Sequence, residues 1–258
     1  MMRQSKIIPG VEPKLLINDA ARLMPDASRR GFLRGAASLG ALTFLTGCDI
    51  IDGDAAESVL RKISEFNDGA QAALFSRSKL APTFPESAIT RPFPFNAYYD
   101  EDEAPQVDGK TYKLEVAGLV DNKKPWTLDE LRALPEVSQI TRHVCVEGWS
   151  AIGSWQGTPL SEFLTRIGAD IRAKYVWFKC AEGYTNTIDM PTALHPQTQM
   201  TFKFANQILP RAYGFPMKIR IPTKLGFKNP KYVVAMEVTN TDKGGYWEDK
   251  GYNWFSGL

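Results

Sequence analysis

The run Arg142-His143-Val144-Cys145-Val146-Glu147-Gly148-Trp149-Ser150 decides how the rest of the 258-residue chain is read. Val137 to Val146 reads as a strand that delivers a cysteine, an acid, a glycine and a tryptophan in succession. Cys145 has three readings: a buried small hydrophobe, one half of a disulfide with Cys180, or a ligand to a soft metal. His143 and Glu147 lie two residues to either side, and a strand places all three on one face. Glu147 then reads as a proton relay or a hydrogen-bond acceptor, because an unpaired buried acid is costly.

Outward from this run the pattern is strand-rich. Tyr112, Leu114 and Val116 alternate with polar residues, and further strands are expected at Tyr175–Cys180, Met217–Ile221 and Tyr232–Thr239. Thr127 with Glu130 has the spacing of a capping box for a short helix ending near Leu134. Thr158-Pro159 opens another helix, with Leu160, Phe163, Leu164 and Ile167 on one face and Gly168 stopping it. No glycine-rich strand–turn–helix is present, so the fold class is α+β rather than doubly wound α/β. Upstream, Ala55–Phe66 and Asn67–Phe75 have the spacing of two short helices after a polar tether at 49–54. The proline-punctuated stretch Ala81–Pro105 carries Phe84, Phe93, Phe95, Tyr98 and Tyr99, so it is expected to lie as an extended arm across the main domain. The tail has five aromatics between Tyr246 and Phe255, enough to cover a core, wall a site or offer a docking patch.

Charge and cysteine usage exclude several functions. Residues 1–47 hold seven Lys/Arg against three acids, which leaves 24 bases and 26 acids in the remainder, a net of −2. Such a body has no electrostatic affinity for a phosphate backbone, so nucleic acid is not an expected partner. Three cysteines and two histidines supply no paired zinc spacing, no haem-attachment motif and no four-cysteine cluster site. Ser28-Arg29-Arg30-Gly31-Phe32-Leu33-Arg34 matches a twin-arginine export signal, and thirteen uncharged residues, Gly35–Gly47, follow it. That run is too short to span a bilayer as a helix and reads as the apolar part of a signal peptide. It ends in Leu45-Thr46-Gly47-Cys48, a lipobox that makes Cys48 the lipidation site and leaves a mature chain of 211 residues. With Asp49 next, the expected location is the periplasmic face of the inner membrane. The twin-arginine route carries folded proteins, which suggests a cofactor inserted before export.

The run around Cys145, with Trp155, Gly157 and Pro159-Leu160 beyond it, resembles the molybdenum-binding segment of the sulfite-oxidase-fold molybdopterin oxidoreductases. It is most similar to the branch of the bacterial protein-methionine-sulfoxide reductase catalytic subunits. Ala173-Lys174-Tyr175-Val176, His195-Pro196 through Met200-Thr201, Pro222, Lys224 and Gly226-Phe227-Lys228 extend the resemblance over roughly 95–239. With the export signal and lipobox it gives three expected regions: a signal peptide at 1–47, a lipid-anchored tether with short helices and arm at 48–105, and a molybdopterin-binding domain at 106–258.

The resemblance implies Mo-molybdopterin as cofactor, with the Cys145 thiolate as protein ligand to molybdenum and Asn96, Tyr99 and Asp100 as cofactor contacts. Cys180 and Lys218 stand where the reductases carry Thr and Arg, and remain cofactor-binding candidates; Tyr213 replaces an Asn and carries no role. Lys228 and Lys231 fall in the family's basic loop near the pterin phosphate, and His195 reads as structural. The implied reaction is oxygen-atom transfer. An acid, Glu147, stands where sulfite-oxidising relatives carry arginine, which favours reduction of a neutral S- or N-oxide such as methionine sulfoxide. Electrons then come from a membrane haem protein or a periplasmic cytochrome. The alternatives are a sulfite dehydrogenase and a non-catalytic lipoprotein using the fold as a scaffold. A chain without the family's dimerisation domain is expected to be a monomer.

Overall fold

The computed structural model describes residues 53–258 except 77; the export signal and Cys48 lie outside the described residues. The first element is one helix, α1 (Gly53–Leu74), where the sequence suggested two. Asn67-Asp68-Gly69 lacks a proline, and a helical glycine costs only about 1 kcal/mol, so the helix runs through. No helix among the described residues is long and apolar enough to cross a membrane.

Two five-stranded sheets follow. In one, the order is β2 (Trp126–Thr127), β1 (Lys113–Gly118), β10 (Val233–Thr239), β5 (Tyr175–Cys180), β6 (Thr185–Asp189). β1 and β10 are parallel and the other neighbours antiparallel. In the other, β3 (Val137–Val144), β4 (Ser150–Pro159), β7 (Gln199–Phe204) and β8 (Gln207–Ile208) run in order, and β9 (Lys218–Arg220) also pairs with β7. The helices are short: α2 (Leu128–Arg132), α3 (Leu160–Arg166) and α4 (Met190–Ala193). This is the expected α+β arrangement. The capping box of α2 is present, the Thr127 hydroxyl accepting from Glu130 N–H while Thr127 N–H donates to Glu130 Oε2 at 2.9 Å.

β4 was not foreseen. Thr158-Pro159 ends this ten-residue strand, and α3 begins only at Leu160. Its inward positions are Ala151, Gly153, Trp155 and Gly157, too small on average to show as a hydrophobic alternation. A Cβ at Gly157 would overlap the Met200 carbonyl on β7, so close strand approach requires the small residue.

The main core gathers residues such as Leu114, Phe163, Phe178, Phe202 and Val238, all fully buried. A second cluster is built on Phe93, Ala151, Trp155 and Leu209. The proline-rich arm lies against β3 and β4 as expected: Phe84 N–H donates to Ile140 O at 3.0 Å and Thr90 N–H to Ile152 O at 2.9 Å. Tyr213, left without a role by the sequence, donates its hydroxyl to Phe93 O at 2.7 Å and packs edge-on against the Phe93 ring, pinning the arm. His195 is structural: its Nδ1 accepts from Gln197 N–H at 3.2 Å and its Nε2 faces Lys79 O at 3.1 Å.

Candidate functional site

β3 stops at Val144, and Cys145 opens the tight turn that returns the chain into β4. Cys145 N–H donates to Trp149 O at 2.8 Å, Gly148 N–H returns to Cys145 O at 3.1 Å, and Gly148 sits at φ +90°, where glycine carries no steric penalty. The shared-face argument for Glu147 therefore fails, because Glu147 belongs to a turn. It reaches the cysteine by another route: the Cys145 thiol points to Glu147 Oε2 at 3.7 Å, and the same oxygen accepts from Trp149 Nε1 at 2.9 Å.

Cys145 is buried at 5% exposure yet lines a cleft with Asn96, Tyr98, Tyr99, Glu147, Glu182, Tyr184, Lys231 and Trp247. Asn96 Nδ2 donates to its sulfur at 3.1 Å. Burial pushes the thiol up and the Glu147 carboxylate adds to this, while the turn amide of Glu147 and the Asn96 amide act to lower it. Lys231 Nζ is tied to Asn96 O at 2.7 Å and Ala212 O at 3.2 Å, which joins the arm to the loop before β10. The tail supplies a wall: Tyr246 stacks on Tyr98 at 4.7 Å between ring centroids, and Trp247 lines the cleft.

Behind the cleft sits a concentration of positive charge. Lys218 is buried over the Trp155 ring at 5.0 Å, and Arg220 is fully buried, donating to Asn229 Oδ1 at 2.8 Å and Arg142 O at 2.6 Å. His143 is buried beside them; a Cβ at Gly226 would stand 2.6 Å from its Nε2, so only glycine admits the ring there. Burial pushes Lys218 and His143 down, and the neighbouring cations push them further. Lys218, Arg220 and Lys231 form no ion pair among the described residues. Buried cations without an acid are costly unless an external anion completes them.

The other sequence candidates are placed elsewhere. Cys180 is 1% exposed within the main core and lies outside the cleft lining; both Cys145 and Cys180 are free thiols, which removes the disulfide reading. Asp100 is exposed, its N–H donating to Glu103 Oε2 at 3.3 Å at the start of a 3₁₀ turn, so its local bonding is structural. Lys228 is buried but paired with Glu248, and it also donates to Thr187 O at 2.9 Å, so its charge is already met within the fold. Asn96, Tyr99, Glu147 and Lys231 meet at the cleft with Cys145, and Lys218 stands in the cation group behind it. Glu182, Tyr184, Tyr232 and Arg220 were missed. They sit on hairpin tips and strand ends from distant parts of the chain, where spacing gives no signal.

The sequence model of the family described as oxidoreductase molybdopterin binding domain matches residues 101–247. The chain belongs to this family. It is a molybdopterin-dependent oxidoreductase, and its cofactor is Mo-molybdopterin. Over 239 residues it is 58% identical to the "Putative protein-methionine-sulfoxide reductase subunit YedZ1" of Azospira oryzae, covering 93% of this chain and 91% of that protein. It is 30% identical over 152 residues to the protein-methionine-sulfoxide reductase catalytic subunit MsrP of Ralstonia nicotianae, covering 53% of this chain and 46% of that one. The sulfane dehydrogenase SoxCD of Paracoccus pantotrophus shares the fold, with TM-score 0.50, 18% identity, and coverage of 54% of this chain and 40% of that structure.

The residues of this molybdopterin oxidoreductase fit its cofactor. Among the described residues no three His, Cys, Asp or Glu side chains converge as a metal nest, so a metal at Cys145 needs further ligands from an organic group. His143 Nδ1 and Arg220 Nε are buried without hydrogen-bond partners, and the unpaired cations lie beside them. An anionic, oxygen-rich pterin phosphate would satisfy both deficits.

Proposed function

We propose that the chain reduces neutral S- or N-oxides, with methionine sulfoxide in exported proteins as the leading substrate. The observation that carries this reading is the charge at the cleft. The exposed Glu147 lines it beside the turn, no arginine does, and its one lysine, Lys231, has its ammonium held by two carbonyls. A sulfite dianion meets unfavourable charge there, whereas a neutral oxide does not. The reductase names of the relatives from Azospira and Ralstonia support the same substrate class.

The cofactor, when bound, supplies two-electron oxygen-atom exchange. The chain supplies geometry. Cys145 offers one soft thiolate, Asn96 Nδ2 donates to that sulfur, and Glu147 holds the Trp149 indole against the same turn. Tyr98, Tyr184, Tyr246 and Trp247 build an aromatic wall that limits water and suits the apolar flanks of a thioether oxide.

The remaining proposals come from the sequence alone. Twin-arginine export and lipidation at Cys48 hold the enzyme at the periplasmic face of the inner membrane, where a membrane haem protein or a periplasmic cytochrome delivers electrons.

The test uses protein exported through its own signal. About one molybdenum per chain and turnover of methionine sulfoxide with reduced methyl viologen are expected, with no turnover of sulfite against cytochrome. Cys145→Ser should reduce turnover at least 100-fold, the scale of losing a metal-orienting contact. Full activity in that variant, or sulfite as the better substrate, overturns the reading.

A further inference from the structure

The hairpin joining β5 and β6 carries an acid that no sequence motif singled out. Cys180 N–H donates to Tyr184 O at 2.8 Å and Gly183 N–H to Cys180 O at 3.1 Å, with Gly183 at φ +86°, so Glu182 occupies the tip of a closed turn. That turn places Glu182 in the lining of the Cys145 cleft. Its Oε2 is buried and has no hydrogen-bond partner. A buried carboxylate oxygen without a donor is unfavourable, whereas a protonated carboxyl brings its own donor and finds an acceptor in a ligand oxygen.

Five neutral groups and one cation face Glu182. Tyr98, Tyr99, Tyr184 and Tyr232 are all pushed up by burial first, and Cys180 likewise, so they stay neutral through the working range. Lys231 is the cation acting on it, pushed down by burial to about 8. Burial raises the Glu182 carboxyl to about 7, with the hairpin amide and Lys231 pulling the other way. A proton donor operating near neutral pH needs this balance. Glu147 is less suited, since it is exposed and its Oε2 already accepts from Trp149.

We propose that Glu182 is the general acid of this cleft, handing its proton to the oxygen that leaves a bound oxide. The inference rests on the oxide-reducing reading. Reduction of a dialkyl sulfoxide consumes two electrons and two protons and releases the thioether and one water. The S–O bond breaks and two O–H bonds form. The electrons come from the haem-protein donor, or from reduced viologen in the assay. One proton leaves Glu182, which water at the cleft mouth reprotonates, and the second follows the same route.

The experiment compares loaded, exported wild type with Glu182→Gln and Glu182→Asp, using methionine sulfoxide and reduced methyl viologen. Wild-type kcat is expected to be high below pH 7 and to fall as pH rises through about 7, the Glu182 value. Glu182→Gln should lose about 100-fold in kcat and the pH limb itself, with KM little changed; Glu182→Asp should recover part of both. Independently of turnover, a difference-infrared titration of the loaded protein should show a protonated-carboxyl stretch that disappears near pH 7 and is missing in Glu182→Gln. Retained kcat and limb in the glutamine variant overturn the proposal, as does a carboxyl that titrates in the ordinary acid range. A molybdenum-loaded wild type that reduces no oxide overturns the functional reading and this inference with it, and is recognised because the wild type itself fails.

Discussion

Lys228 and Lys218 are both buried lysines set over tryptophan rings, and the fold treats them oppositely. Lys228 lies over Trp254 with Glu248 as its counter-ion and the Thr187 carbonyl as a second acceptor. Lys218 lies over Trp155 with Lys231 and Arg220 as its charged neighbours and no acid paired to it among the described residues. In the first arrangement the cation is paired within the chain and serves the fold. The second is complete only when something anionic arrives, which is how a binding cation differs from a structural one.

Three experiments would break or sharpen this contrast. Lys228→Met strands the Glu248 carboxylate, whose side chain is only 6% exposed, and should destabilise the protein by roughly 3–5 kcal/mol in urea unfolding. A loss below about 1 kcal/mol would show the pair to be dispensable. Lys218→Met should do the reverse in cofactor-free protein, leaving stability unchanged or raised, while cofactor content after export falls about tenfold, equivalent to about 1.4 kcal/mol. Equal loss of stability and occupancy would erase the distinction between the two lysines.

The smallest effect concerns pH. Lys231 is held at about 8 in the cofactor-free fold and returns to its ordinary value of 10.5 on unfolding. Between those values the unfolded chain binds the extra proton, so stability rises with pH across that window, and below it the cost of the buried charge is fully present. The slope is at most about 1.4 kcal/mol per pH unit, the limit for one proton. Thermal unfolding of the cofactor-free protein across pH 8 to 10.5 should show the rise, to which Lys224 and Arg220, lowered by burial to about 7 and about 9, also contribute; the rise should become shallower, by the Lys231 share, in Lys231→Met and when the cofactor is bound.

Cys145 was legible because the chemistry sits in consecutive residues, though the turn it opens was read as strand; the arm was legible because repeated prolines leave few conformations. The lysines were not separable in this way. Lys228 and Lys231 are three residues apart in one basic loop, yet the 3₁₀ turn at Gly226–Lys228 sends one ammonium to Glu248 and the other to Asn96 and Ala212. Glu182 gave no signal either, since an acid-glycine hairpin tip is ordinary surface chemistry until a neighbouring cleft buries it.

The sequence by itself determined the strand-rich α+β class, the cysteine at the end of a strand and the aromatic arm, because each is a local pattern of spacing and restricted backbone. Tertiary structure alone decided which buried charges are answered and which wait for a ligand. Burial and pairing depend on side chains brought together from positions far apart in the chain, as when Lys231 reaches back 135 residues to the Asn96 carbonyl.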